Sequence, residues 1–311
     1  IYLNGFSTSL PEEVQLSALQ KIPGFASVSF FRPGYAIEYD FFPPSQLKST
    51  LESKDVSGLF FAGQMNGTSG YEEAAAQGLI AGINACLYIG NKEPFVLSRS
   101  SSYVGVMIND LITKDTLEPY RMFTSRAEYR LTLRFSNTLD RLFKHTASLK
   151  TLDNKQLAFL KKVIKNKIFL RTGMKDSVSL KGSSRNKNQK TPAHNLLKRT
   201  DVSIFDLPGH LLKGDDSIPG WLTKETLFDI ESEIKYEGYI KRHLKDISNL
   251  NKNEKLTLPI GLNYNDIPGL SSEAREKLSL VRPESLGQAK RVSGVNMSDL
   301  SVLSIYLSNK R

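Results

Sequence analysis

The sequence predicts an α/β unit, the closing part of a Rossmann-like dinucleotide-binding fold, followed by a mostly α-helical C-terminal region. Three observations carry this reading. Phe61 to Gly78 reads FAGQMNGTSGYEEAAAQG, a short apolar run that breaks at a glycine turn and enters an alanine-rich helix. The G-x-G-x-x-G fingerprint that opens the first βαβ unit of a two-part dinucleotide fold occurs nowhere. Beyond Trp221, apolar residues recur at helical spacing.

The elements follow in order. Pro11 to Gln20 reads as a short helix with Pro11, Glu12 and Glu13 in its first turn. Val28 to Phe31 and Tyr35 to Tyr39 read as strands around a Pro33-Gly34 turn. Gly58 to Ala62 is short and apolar, as in a buried parallel strand. Ser69 to Tyr88 is its helix, with Ala74, Ala75, Ala76, Gly78, Ala81, Gly82 and Ala85 suited to close packing. Ser100 to Thr113 reads as a helix, then Lys114 to Thr116 as a loop. Asp153 to Leu170 repeats Leu157, Leu160, Val163, Ile164 and Ile168 as an amphipathic helix. Thr172 to Asn195 is polar, basic and aperiodic, the pattern of a mobile loop or insertion. Leu227, Ile230, Ile234, Ile240, Leu244 and Ile247 mark further helices. Leu286 to Val292, a turn at Ser293-Gly294-Val295 and Ser298 to Leu307 resemble a helix-turn-helix, with Ala289 as the small residue between its helices.

This organisation divides the chain at 1–95, the closing α/β part, and 96–150, a helical connector with an Arg-rich segment. Residues 151–220 hold a helix and the basic insertion. A C-terminal helical domain covers 221–311. The opening Ile1-Tyr2-Leu3 reads as the interior of a longer protein.

Charge separates the two halves. Residues 1–150 carry 14 basic and 14 acidic side chains, so the whole net charge of +10 lies in 151–311. A neutral half joined to a basic half fits a polyanion-binding second half, and equally a generic basic surface. Cys86 is the only cysteine, which excludes disulfides and thiolate metal clusters, and its setting reads as a buried structural thiol. The four histidines show no ligand spacing, so no metal site is expected. No apolar run approaches the ~20 residues that span a bilayer.

The glycine turn carries the first candidate site. Gly63, Gln64, Asn66, Gly67, Thr68 and Gly70 precede a helix whose first N–H groups can meet an electron-rich ligand group. Glycines let a ligand approach the backbone. Glu72 and Glu73 would repel a pyrophosphate, so a flavin carbonyl edge suits this terminus better. On spacing alone an ordinary βα turn is equally open.

Basic residues form the second candidate. Arg126, Arg130 and Arg134 fall at i, i+4 and i+8, one stripe if helical, beside Tyr120 and Tyr129. Lys235, Tyr236, Tyr239, Lys241 and Arg242 interleave bases and aromatics on a predicted helix containing Gly238, a cost that close approach by a neighbour would offset. A solvated helix face laced with ion pairs has the same pattern as either stripe. No catalytic residue is identifiable: there is no Ser-His-Asp order and no P-loop.

These strings resemble blocks of the GidA/MnmG family, the tRNA uridine 5-carboxymethylaminomethyl modification enzymes. The similarity lies in FAGQMNGTSGYEEAAAQG, RPGYAIEYDFF at Arg32 to Phe42, TLESK at Thr50 to Lys54, EPYRMFTSRAEYRL at Glu118 to Leu131, KYEGYI at Lys235 to Ile240, and LGQAKRVSGV at Leu286 to Val295. They stand in the family's order across nearly the whole chain. The resemblance implies bound FAD at the glycine turn, with NADH and methylenetetrahydrofolate serving the full-length enzyme. It implies tRNA and partner binding by the helical domain over 221–311, with tRNA contact by Arg126, Arg130, Arg134, Lys235, Lys241, Arg242 and Arg291. It also implies a homodimer, a GTPase partner of the MnmE type, and a carboxymethylaminomethyl-type or taurinomethyl group placed at C5 of the wobble uridine. The family's catalytic cysteines lie in earlier segments, Cys86 matches none of them, and the isolated chain is expected to be inactive. The Lys/Asn/Ser-rich insertion leans towards a mitochondrial setting, with a cytoplasmic one as the alternative. Two other functions fit parts of the pattern. One is a folate- and FAD-dependent tRNA uridine methyltransferase, which lacks the long helical region. The other is a non-catalytic tRNA-binding module.

Overall fold

The computed structural model describes residues 2–6, 8–35, 39–114, 118–178, 190–254, 256–259 and 261–309. The chain divides into two compact units, Ile1–Phe42 and Pro43–Arg311.

In the first unit, α1 (Glu12–Gln20) starts after Pro11, as the Pro-Glu-Glu opening predicts. Its Gln15 is buried and reads a distant turn through both amide atoms. Gly34 N–H donates to Gln15 Oε1 at 2.9 Å, and Gln15 Nε2 donates to the Gly34 carbonyl at 2.9 Å. The strand expected at Val28 to Phe31 is irregular backbone. Short turns at 22–28 consume the local N–H groups, Phe25 to Ile22 and Val28 to Phe25, so none is aligned for a ladder. Of the second expected strand, residues 36–38 lie outside the described residues.

The second unit is helical. After α2 (Tyr71–Ile89) come α3 (Tyr103–Thr113), α4 (Thr138–Leu149) and α5 (Asn154–Gly173). A two-residue antiparallel pair, β1 (Ser177–Val178) with β2 (Thr191–Pro192), leads into α6 (Ala193–Leu197). Then come α7 (Gly220–Lys235), α8 (Glu237–Glu254), α9 (Ser272–Val281), α10 (Leu286–Ala289) and α11 (Met297–Asn309).

Several starts follow the expected chemistry. Ser102 caps α3 by accepting from Gly105 N–H. Asp153 and Gln156 cap α5 reciprocally, each side chain taking the other's backbone N–H. Four apolar clusters hold the unit among the described residues, the smallest of them Val106, Ala127 and Leu133. Leu47, Leu51, Ile80, Met107 and Leu111 lie between α2 and α3. Leu170, Leu197, Ile204, Ile230 and Ile234 join α5, α6 and α7. Ile267, Ala274, Leu278, Ala289 and Leu303 fill the last bundle.

The parallel strand predicted at Gly58 to Ala62 is absent. Glu52 and Phe60 form an isolated antiparallel bridge, Ser53 N–H donates to the Leu59 carbonyl, and Phe61 N–H donates to that of Leu51. Only a handful of residues joins the two segments, through Gly58 at φ +79°, and a connection that short permits only antiparallel pairing. Leu51, wholly buried, takes φ +67° to make this return, a conformation costly for a branched side chain.

Other expectations also change. The loop expected over Thr172 to Asn195 is tied down at both ends, by β1 with β2 and by His194 N–H donating to the Met174 carbonyl. Its middle, 179–189, lies outside the described residues, as do 115–117 of the connector. On α5 the buried positions are Val163, Asn166 and Leu170, while Ile168 faces solvent. Asn166 is buried because its Oδ1 takes the Asp215 N–H. Helix α10 is one turn rather than two, but Ala289 is fully buried and Gly294 makes the turn at φ +89°. Gly238 sits in the first turn of α8, after a break at Tyr236, with nothing close to it, so no packed neighbour offsets the glycine.

Candidate functional site

The glycine turn is built by alternating buried and outward positions. Gly63–Asn66 is a single 3₁₀ turn closed by Gly67 in the left-handed region, φ +67°, and opened by Gly63 at φ +77°. Both values favour glycine, which meets no Cβ penalty there. Gly67 N–H donates to the Gln64 carbonyl at 2.8 Å, and the Gly67 carbonyl accepts from Tyr120 N–H at 2.8 Å. Gln64, Met65 and Ser69 face outward, whereas Asn66 and Thr68 are buried.

The site residues predicted from sequence therefore divide. Gln64 and the backbone of Gly67 present a surface. Asn66 and Thr68 face inward, where Asn66 Nδ2 donates to the Phe61 carbonyl at 3.1 Å. Asn66 Oδ1 is buried and finds no donor among the described residues. Gly70 caps α2, and a Cβ there would overlap the Glu73 carboxylate.

Glu73 folds back over this helix terminus. Its Oε1 accepts from Met122 N–H at 3.0 Å and lies 3.6 Å from Arg121 Nε. Burial acts to raise its pKa, but the Met122 and Glu73 N–H groups and Arg121 outweigh it and hold the carboxyl below its ordinary range. A carboxylate of the chain itself thus answers the helix dipole, which disfavours a phosphate there.

Helix α2 carries its small residues differently from the prediction. Ile80, Ala81 and Asn84 face the core, while Gly78, Leu79, Gly82 and Cys86 face outward. Cys86 is exposed rather than buried, because the core face of α2 is taken by residues a third of a turn away.

The arginine block is not helical. Thr124–Arg126 is a 3₁₀ turn, followed by tight turns to Arg134. The Arg126 carbonyl, which a helix would bond to Arg130 N–H, instead accepts from Arg99 Nη2 at 3.1 Å. Arg99 also meets Asp110 at 2.5 Å and Glu128 at 2.8 Å. Burial disfavours the Arg99 cation, but these two carboxylates more than offset it and raise its pKa. Asp110, fully buried, further holds Lys114 at 3.0 Å, Arg126 at 3.6 Å and the Tyr120 hydroxyl at 3.3 Å. Burial and that carboxylate push the Tyr120 phenol well up.

The three predicted arginines consequently differ. Arg126 lies over the Tyr120 ring at 4.6 Å. Arg134 points inward to Asp229 at 2.7 Å. Arg130 is exposed. Sequence reasoning missed Arg99 and Asp110. The one signal was an aspartate in the otherwise apolar VMINDLIT, just before a run of arginines.

Asp229 is the centre of a second ionic cluster. Lys167 bonds Asp140, Asp229 and Glu233, and Arg171 bonds Glu233. Three carboxylates converge there in the manner of a metal site. The cation they surround is the Lys167 ammonium, whose pKa they raise against the opposing effect of burial.

The remaining basic residues lie on α7, α8 and after α10. Lys235 is half-buried against Glu231 at 2.7 Å. Lys241 is exposed, 2.9 Å from Glu237, and exposed Arg242 lies over the Tyr239 ring at 5.4 Å. Arg291 is half-buried in a cleft of about 650 Å³ that also includes Arg99, Tyr129, Glu284 and Lys290. The cleft joins segments about 190 residues apart in sequence, which spacing alone does not reveal.

Comparison with known proteins fits this geometry. Family models match in chain order: Glucose inhibited division protein A over residues 1–93, the tRNA modifying enzyme MnmG/GidA C-terminal helical domain over 137–244, and the MnmG/GidA C-terminal helical bundle over 246–311. The chain belongs to the GidA/MnmG family. It is 46% identical over 314 residues to the tRNA uridine 5-carboxymethylaminomethyl modification enzyme MnmG of Karelsulcia muelleri, covering 100% of this chain and 50% of that protein. The MnmG of Christiangramia forsetii is 44% identical over 316 residues, covering 99% and 51%. A crystal structure of Aquifex aeolicus GidA superposes with a TM-score of 0.77 at 41% identity, over 97% of this chain and 48% of that one. The chain thus spans about half the length of the relatives it matches. No helix among the described residues is long and apolar enough to cross a membrane.

Proposed function

We propose that the chain is the C-terminal part of a FAD-dependent enzyme that modifies C5 of the wobble uridine of tRNA. The glycine turn would stand beside the flavin, and the helical region would hold tRNA. The observation that carries this reading is the turn at Gly63–Thr68. Positive φ at Gly67 leaves bare backbone part-exposed above the buried Gly63, and Gln64 and Ser69 add polar groups facing outward. The buried Asn66 Oδ1 is an acceptor suited to an N–H donor such as a flavin's pyrimidine edge carries. These features fit FAD, and Gln64 with the Gly67 backbone would hold it.

When bound, FAD supplies hydride and one-carbon chemistry. The chain's residues have other tasks. Glu73 keeps anions off the α2 terminus. Arg126, over the Tyr120 ring beside the turn, and the exposed Arg130 offer guanidinium and stacking surfaces where an extruded base could be held. Lys241, Arg242 and Arg291 supply phosphate contacts. NADH, methylenetetrahydrofolate, an MnmE-type GTPase and homodimer formation belong to the same proposal, drawn from the family. A carboxymethylaminomethyl product is favoured over simple methylation because the long helical region and KYEGYI are retained.

The test is Gly67→Val in the full-length protein. A branched side chain at φ +67° is strained and stands where the ligand approaches. Flavin absorbance after purification is expected to be lost. Retention of a normal flavin spectrum would remove the assignment.

A further inference from the structure

We infer that Gln77, which sequence reasoning passed over as one more residue of AAAQG, is the positioning residue that gives the flavin-side turn its shape. This rests on the flavin reading above. Gln77 has no exposed surface. Its side-chain carbonyl accepts from Gly63 N–H at 2.8 Å and from Asn66 Nδ2 at 3.0 Å. Its amide donates to Thr68 Oγ1 at 2.9 Å and lies 3.9 Å from Met107 Sδ. One side chain thus fixes residues 63, 66 and 68, between which Gly67 takes its left-handed conformation.

The orientation is unambiguous. A backbone N–H can only donate, so the atom facing Gly63 is the carbonyl oxygen. Both oxygen lone pairs are then filled and an amide hydrogen is directed at Thr68. Only a neutral group with an acceptor on one side and a donor on the other satisfies this buried pocket. Gln77 lies beneath the turn, and Gln64 and Ser69 face away from it. Its influence on a ligand therefore passes through backbone geometry.

The experiment uses full-length protein stripped of flavin and titrated with FAD, comparing wild type with Gln77→Met, Gln77→Glu and Thr68→Val. Methionine keeps the volume and loses the network. It is expected to weaken FAD binding by about ten-fold or more, since an unmade buried bond and a displaced contact both act on affinity. Thr68→Val, a milder change that removes one bond, is expected to weaken it by a smaller factor and stands in if Gln77→Met does not fold. Gln77→Glu is expected to bind poorly at pH 8 and to recover as pH falls, because the protonated carboxyl regains a donor. Wild type shows no such recovery. Leu303→Ala, which opens the distant C-terminal core, controls for loss of stability alone and is expected to leave FAD affinity unchanged. Unchanged affinity in Gln77→Met and Thr68→Val, with wild type binding FAD, would overturn this inference alone. Failure of wild type to bind FAD would overturn the flavin reading and this inference together.

Discussion

The turn under α2 and the junction of α4, α5 and α7 solve the same problem with opposite chemistry. Each holds irregular backbone against a helix through buried polar groups. Directly beneath the turn these groups are neutral, Gln77, Asn66 and Thr68, and the one buried carboxylate beside them, Glu73, is set at the start of α2. At the junction all are charged save Ser136: Arg134, Lys167 and Arg171 against Asp140, Asp229 and Glu233. A neutral network adds no fixed charge beneath the turn. An ionic network consumes its own charges. The difference teaches that the number of arginines in a segment does not measure what it can offer a polyanion. Arg134 is spent on Asp229, while Arg130, one turn earlier, is not.

The largest effect expected from this contrast is at Asp229. Replacing it with Ala removes the one fully buried carboxylate of the cluster and leaves Lys167 to Asp140 and Glu233 and Arg134 to Glu233 alone, a loss expected at up to about 3 kcal/mol, the lower end for a broken buried pair. Urea unfolding of the full-length protein followed by hydrogen exchange in α4, α5 and α7 checks this, and loss of less than about 1 kcal/mol would show that the cluster is loosely solvated.

Acid gives a smaller and graded version of the same test. Burial opposes ionisation of Asp229, but hydrogen bonds from Lys167, Ser136 and Arg134 prevail and lower its pKa below the ordinary 3.8. A depressed carboxylate contributes stability above its unfolded pKa and loses it as pH falls through the folded value. Protection of α4, α5 and α7 is therefore expected to fall below about pH 4. The neutral network under the turn adds no titrating group of its own. Lys54 is expected to act in the opposite direction at high pH. Its Nζ donates to the carbonyls of Ser45 at 2.7 Å and Val281 at 2.6 Å. Burial lowers its pKa to about 8. Between that value and 10.5 the unfolded chain binds the extra proton, so this group's contribution to stability rises with pH.

How much of this was legible depended on range. Helices α1, α2, α3, α5 and α7 were visible because apolar period and end chemistry, such as Asp153 before α5, are local. The strand at Gly58 to Ala62 was misread because an apolar run does not state its partner, and residues 51–53 supplied an antiparallel one. The arginine stripe was misread because i, i+4 spacing presumes a helix, and Arg99 takes the carbonyl that helix would need. Cys86 was misplaced because an alanine-rich helix has small residues on both faces. The glycine turn itself was legible, since few other residues accept φ near +70°. Gln77 and Asp110 were not, because apart from Lys114, four residues after Asp110, what they bind lies at least 9 residues away and no spacing rule links them.

The tRNA proposal is tested most directly at Lys241 and Arg242, the exposed basic residues of α8 proposed to contact phosphates. The direct measurement is tRNA affinity of flavin-loaded, full-length protein across a salt series, comparing wild type with the Lys241→Ala, Arg242→Ala double variant. Each lost phosphate contact lowers the salt slope by roughly 1. The predicted result is a slope reduced by about 2, with affinity weakened most at low salt and flavin content unchanged. An unchanged slope and affinity would contradict the account and leave the positive charge of the second half as a general surface property.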